Sequence, residues 1–383
     1  MHRLVREVIY ARIEDDRKIN WARKLTKVLN LETEDLNGYN TKDRPIMQMY
    51  LSHIRYFVEL LENLSERAMH CKDLVKLLNS TVLYLRANGI YDSIRKLAEL
   101  SVIISGNIYG PEHPDTALSV HSLASLYWSQ GKYEQAEPLY QRVLAIQEKT
   151  LGPEHPNMAL PVNSLASLYS EQGKYEQAEL LYQRALVIQE KTLGPEHPST
   201  ALSVHGLAIL YSEQGKYELA ESLCQRALAI REKTLGSEHP NTASSVNGLA
   251  SLYSKQGKYG QAEPLYQRAL AIREKTLGPE HPDTASSVHN LASLYSEQGQ
   301  YEQAEPLYQR ALAIREKTLG PEHPDTALSV NGLANLYTNQ DKCKEAKSLF
   351  QRSLEIRKKA LGPEHSDTIE SRSAHTHSFC NIS

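Results

Sequence analysis

Cysteine is scarce: four residues in 383, at positions 71, 224, 343 and 380, without a C-x-x-C pair. Disulfide frameworks and structural zinc sites need clustered cysteines, so neither is expected, and four free thiols in a reducing cytosol are. Long apolar runs are missing too. None approaches the roughly 18 residues of a membrane span, so membrane insertion is not expected. The opening MHRLVREVIYARIEDDRK has no apolar signal-peptide core and no small-residue cleavage site, and it carries acids that transit peptides avoid. A cytoplasmic location is therefore expected. Nor is there an excess of one charge: 43 basic against 46 acidic residues leave −3, which gives no electrostatic ground for a nucleic-acid partner. No G-x-x-x-x-G-K-[ST] occurs, and the recurrent QGKY lacks both the first glycine and the hydroxyl. No cofactor is expected.

What the chain has in abundance is repetition. Residues 320–327 read GPEHPDTA, residues 110–117 and 278–285 are identical to them, and near-copies begin at Gly152, Gly194, Gly236 and Gly362. The opening glycines fall at 110, 152, 194, 236, 278, 320 and 362, a constant step of 42. A fixed period of this size marks stacked units that share a core only with their neighbours. Each interval holds two helical patterns. In residues 283–319, Val288, Leu291, Ala292 and Tyr295 share one helical face, and Ala304, Leu307, Tyr308, Ala311, Leu312 and Ile314 line a second helix. Gly299 between them suits the left-handed position after a helix.

The recurrent loop carries glutamate, histidine and aspartate, residue types that bind metals and move protons. Its spacing suits punctuation better. The residue after His-Pro is Asp115, Asn157, Ser199, Asn241, Asp283, Asp325 or Asp367, and these types are the favoured N-caps. Equivalent loops of stacked hairpins lie roughly 10 Å apart, whereas metal ligands sit at about 2 Å, so His281 and His323 are not expected to share an ion. No nucleophile, base and orienting group recur together. No catalytic residue, no metal site and no enzymatic activity are expected.

The pattern Val120-x2-Leu123-Ala124-x2-Tyr127, followed by Ala136-x3-Tyr140, resembles the tetratricopeptide repeat, W-x2-L-G-x2-Y…A-x3-F. Its 42-residue length and G-x-x-H-P linker are similar to those of kinesin light chains and nephrocystin-3-like proteins. The resemblance implies an all-α fold, a right-handed superhelix (α-solenoid) of 42-residue helical hairpins with the first helices lining the concave side. Six repeats are expected over residues 117–365 and a degenerate one over 76–116. A helical flank is expected over 1–75 and a poorly ordered tail over 366–383. The opening MHRLVREVI resembles the end of the winged-helix region in NB-ARC-type NTPase–tetratricopeptide proteins, which would make the chain the regulatory arm of a signalling NTPase.

Otherwise the resemblance implies a scaffold that holds a protein partner, as an extended peptide or helix, in its concave groove. Groove positions two residues before the conserved leucine are His121, Asn163, His205, Asn247, His289 and Asn331. One turn further along are Ser125, Ser167, Ser251, Ser293 and Asn335, with Ile209 interrupting. Asparagine and neutral histidine both donate and accept, which suits peptide amides, and protonation of the three histidines near pH 6 is expected to alter the charge preference of the face. Five residues after the leucine stand Trp128, Ser170, Ser212, Ser254, Ser296 and Thr338, not the basic ladder with which kinesin light chains hold acidic peptides. The recurrent Gln-Arg pairs, 141–142 through 351–352, are expected on a solvated, ion-paired convex face.

Overall fold

The structure, a computed structural model, describes residues 72–87, 94–363 and 365–377; the stretch that resembles a winged-helix region lies outside them. The regular elements of the described residues are helices. The chain divides into two compact units, Met1–Leu126 and Tyr127–Ser383.

The first unit contains α1 (Lys72–Ala87), α2 (Ile94–Tyr109) and most of α3 (Pro114–Ser129). Leu74, Leu77, Leu78 and Leu85 are buried with Ile94, Leu97 and Ile104. Thr81 sits where other repeats carry leucine, and its hydroxyl is silenced by donating to the Leu77 carbonyl at 2.7 Å.

The second unit continues through α4 (Tyr133–Leu151), a 3₁₀ turn (Pro156–Met158), α5 (Ala159–Glu171), α6 (Tyr175–Thr192), α7 (Pro198–Glu213) and α8 (Tyr217–Leu235). It ends with α9 (Pro240–Lys255), α10 (Tyr259–Leu277), α11 (Pro282–Glu297), α12 (Tyr301–Thr318), α13 (Pro324–Asn339), α14 (Cys343–Ala360) and α15 (Ser366–His377). In the second unit α5 packs against α6, α7 against α8, α9 against α10, α11 against α12 and α13 against α14, giving a solenoid of hairpins. Alanines mark the close approach: Ala292 and Ala304 are fully buried where α11 meets α12, and Leu291, Leu294, Tyr295 and Tyr308 fill the space around them. Thr368 and Ser371 of α15 are buried as well.

The linker does three things, one of them unexpected. Gly278 takes φ 94°, open to glycine and strained for other residues. Thr284 Oγ1 then donates to the Gly278 carbonyl at 2.8 Å and pins the loop. The cap, expected from Asp283, comes from His281, whose Nδ1 accepts the Asp283 N–H at 3.0 Å. Proline explains the difference. Pro282 is the first helical residue and has no N–H to satisfy, so Asp283 is already inside the helix and its N–H is the free donor. The same histidine cap recurs at His155, His197, His239 and His323. The linker glutamates pair with lysines one repeat on, as in Glu280–Lys317 at 2.6 Å and Glu238–Lys275 at 2.8 Å.

The turn inside each hairpin matches its expectation. Gly299 has φ 74°, and Gln300 N–H reaches back to the Tyr295 carbonyl at 2.8 Å. In the last hairpin Asp341 holds this position at φ 59°. The arginines of the Gln-Arg pairs from Arg184 to Arg352 are ion-paired: Arg268 meets Glu232 and Arg310 meets Glu274, each at 2.6 Å. The cysteines depart from the expected four free thiols. Cys224 is free, and burial pushes its thiol up to about 11, while Cys343 is disulfide-bonded.

Candidate functional site

On a helix, residues spaced four and then three apart share a stripe. In the second unit the solvent-facing stripe of α7 is Leu202, Gly206 and Ile209, with the leucine and isoleucine 47% and 44% exposed. The matching stripe of α5 begins at Leu160, 53% exposed, and continues through Ser164 and Ser167. On α9 and α11 the leucine becomes Ser244 and Ser286, and on α13 it returns as Leu328. Small residues follow in each case: Gly248 and Ser251, Asn290 and Ser293, Gly332 and Asn335. The result is an apolar stripe with shallow polar relief.

In the second unit the ladder residues Asn163, His205, Asn247, His289 and Asn331 sit on the same helices beside this stripe and deeper. Asn163, His289 and Asn331 are only 6%, 8% and 7% exposed, and His121, His205 and Asn247 are half-buried. Their hydrogen bonds run between repeats. Asn163 Nδ2 donates to Ser203 Oγ at 2.7 Å, and Ser203 donates to Gln189 Oε1 at 2.6 Å. Asn247 Oδ1 accepts from Asn290 Nδ2 at 3.0 Å. His205 and His289 pack against the next repeat. A Cβ on Gly248 would lie 2.7 Å from His205 Cε1, and one on Gly332 would lie 2.8 Å from His289 Cε1. Each ring therefore occupies the space that glycine leaves one repeat on, and His289 also meets the Tyr308 ring edge-on at 5.2 Å. His289 Nδ1 and Asn331 Oδ1 are buried without a hydrogen-bond partner.

Burial changes the titration. It lowers His121 and His205 to about 4 and His289 to about 3, with smaller contributions from Arg86, Arg231 and Arg315 respectively. The expected charge change near pH 6 is overturned, because desolvation makes the protonated ring too costly there.

The second set of candidates is clasped to tyrosines of its own hairpins. Ser167 and the Tyr182 hydroxyl lie 2.8 Å apart, Ser293 and the Tyr308 hydroxyl 2.9 Å. Ser251 bonds Tyr266 in the same way. In the first unit Ser125 is buried. Asn335 is exposed.

Sequence inspection missed a column of buried arginines, Arg231, Arg273, Arg315 and Arg357. Arg315 Nη1 donates to the Asp325 carbonyl at 3.0 Å and to Ser329 Oγ at 2.7 Å, and its Nη2 reaches Ser286 Oγ at 3.1 Å. Arg273 repeats this on Asp283, Ser287 and Ser244. The stripe thus carries serine rather than leucine where an arginine reaches it from behind. The signal was present in the 42-residue register, where Gln147 and Gln189 give way to four arginines.

An open cavity of about 540 Å³ lies between two hairpin turns, lined among others by Lys174, Tyr175, Glu179 and Lys216. Its lysines are already paired, Lys174 with Glu137 at 3.1 Å and Lys216 with Glu179 at 3.7 Å. Among the described residues no three His, Cys, Asp or Glu side chains converge on a metal-sized site.

Comparison with known proteins bears on the same region. The tetratricopeptide repeat family model matches in overlapping windows, 77–149, 119–191, 159–223, 203–275, 245–317 and 283–359. A kinesin-light-chain-type protein of Podosopora anserina with nearly identical TPR-like repeats is 36% identical, covering 54% of this chain and 97% of its own, with a TM-score of 0.44. BtubC (BKLC) of P. vanneervenii is 25% identical over 64% of this chain and 92% of its own, with a TM-score of 0.45. A Rap protein solved with Competence and Sporulation Factor shares the fold, with a TM-score of 0.56 at 14% identity over 94% of this chain and 97% of its own. No curated protein matches the chain.

Proposed function

The chain belongs to the tetratricopeptide repeat family, and from that premise we propose a non-enzymatic, cytoplasmic scaffold whose first-helix face binds a protein partner as an extended peptide or a helix. The observation that carries this is the stripe of Leu160, Leu202 and Ile209. These large apolar side chains face solvent on consecutive first helices, although the same helices bury their other leucines almost completely. Covering such side chains is worth roughly 1.5–3 kcal/mol each. Small neighbours leave room for a backbone to approach, and Asn335 offers a donor and an acceptor. The second unit's ladder, Asn163, His205, Asn247, His289 and Asn331, acts beneath this surface and sets its shape.

The test is a screen of extended peptides against the intact chain and against a Leu160→Ser/Leu202→Ser/Ile209→Ser variant with unchanged helical circular dichroism. Binding lost in the variant supports the assignment. Equal binding by both proteins removes the stripe from consideration.

A further inference from the structure

One contact breaks the repeat symmetry of the second unit. Its hairpin-turn glycines, Gly131, Gly173, Gly215, Gly257 and Gly299, share one conformation, with φ between 67° and 74°. A Cβ on any of the last four would meet nothing within 4 Å, whereas on Gly131 it would fall inside the imidazole of His365. The linker before α15 therefore rests on the turn before α4. These residues are 234 positions apart in sequence, and repeat arrays otherwise hold together through neighbours.

The receiving surface is chemically distinct. Trp128 stands in a series that otherwise reads Ser170, Ser212, Ser254, Ser296 and Thr338. Ser170 and Ser254 donate to Glu213 and Glu297 one repeat on, at 2.9 Å and 2.7 Å. Trp128 Nε1 makes the same bond to Glu171 at 2.8 Å, but brings a broad aromatic surface with it. The Tyr133 hydroxyl donates to the same carboxylate oxygen at 3.0 Å, and its ring centroid lies 6.1 Å from that of His365. Asp367, in the first turn of α15, is close enough for its charge to act on this carboxylate. Burial first, and then Asp367 and Glu213, push Glu171 above the usual carboxylate range. His365 is oriented by its own capping bond, Nδ1 accepting the Asp367 N–H at 3.1 Å.

We propose that this contact is a reversible latch: the His365 linker occupies the Trp128–Tyr133–Glu171 rung and holds the second unit closed, and its release opens the unit without unfolding any hairpin. The physical basis is a difference in strength. Each hairpin is joined to the next by buried alanine, leucine and tyrosine side chains, whereas the latch is one loop on a polar, aromatic rung. Small changes at successive interfaces add up along the array, so the end-to-end contact is the one that releases first. The latch is independent of what binds the first-helix stripe.

Glycine supplies a matched test in the full-length chain. Gly131→Ala, Gly173→Ala and Gly215→Ala carry the same backbone strain, but only the first also meets the latch. His365→Ala removes the ring without backbone strain; it also removes the cap of α15, a loss that His323→Ala reproduces at an equivalent linker away from the latch. Small-angle scattering gives the radius of gyration, and fluorescence follows Trp128, with Trp21 common to every variant. Gly131→Ala and His365→Ala are expected to enlarge the radius and red-shift the emission at unchanged helical circular dichroism, while the two control glycine variants resemble the parent. If Gly131→Ala proves too unstable to compare, His365→Ala alone decides. A parent-like radius and emission for His365→Ala overturns the latch.

Discussion

Histidine has two structural uses in this chain, capping helices in the linkers and filling space in the ladder, and each has its own test. In the linker, His281 Nδ1 is an acceptor, so the ring carries its proton on Nε2 or none of the cap exists. His281→Ala is expected to destabilise by about 1–2 kcal/mol through the lost cap, and Asp283→Ala by less than about 0.5 kcal/mol, as denaturant midpoints would show. In the ladder, His121, His205 and His289 have folded-state pKa values below their ordinary 6.5. Their contribution is complete above that value. As pH falls, the unfolded chain binds protons that the folded chain refuses until about 4, or about 3 for His289. Stability therefore declines through this window, by up to about 1.4 kcal/mol per pH unit for each ring. A His205→Asn/His289→Asn variant should show a flatter decline between pH 6.5 and 4.5; an unchanged slope would contradict the assignment.

At the level of the helix, the near-identical repeats act as internal controls. Arg315 donates to the Asp325 carbonyl, Ser329 and Ser286, while three repeats earlier Gln189 already serves Ser203. Arg315→Gln should therefore cost little, whereas Arg315→Leu strands buried polar groups and should cost about 1–3 kcal/mol in chemical denaturation. Asp341 stands at φ 59° where the other hairpins place glycine. Asp341→Gly should stabilise by about 0.5–1 kcal/mol, since an L-residue is strained in that region. Equal midpoints for Asp341→Gly and the parent would mean that the turn relaxes at no cost.

The whole array follows from neighbour contacts. Excising residues 236–277 joins Leu235 to Gly278 and lets Arg310 pair with Glu232, which now faces Arg268. The shortened chain is expected to remain helical and to unfold cooperatively, with ellipticity reduced in proportion to its lost helices. Loss of cooperative unfolding would show that these hairpins are not interchangeable. The closing contact should be lost, because the arc from Gly131 to His365 is then one hairpin short, and scattering would show an enlarged radius relative to chain length.

The period, the hairpins, the glycine turns and the alanine contacts were legible in the one-dimensional pattern. Residues 283–319 declare them through spacing alone, because a hairpin is local and its faces are set by 3.6 residues per turn. Depth was not legible. Asn163, Asn247 and His289 fall on a first-helix face, but whether that face meets solvent or the next hairpin depends on how neighbouring helices cross. Periodicity is silent on that angle, which is why Leu202 and Ile209 outrank them at the surface. The histidine cap was hidden by the general preference for aspartate, and the arginine column by the expectation that arginine stays outside. The meeting of Gly131 with His365 belongs to tertiary structure alone. It is the accumulated rotation of successive interfaces, a sum that no single repeat records.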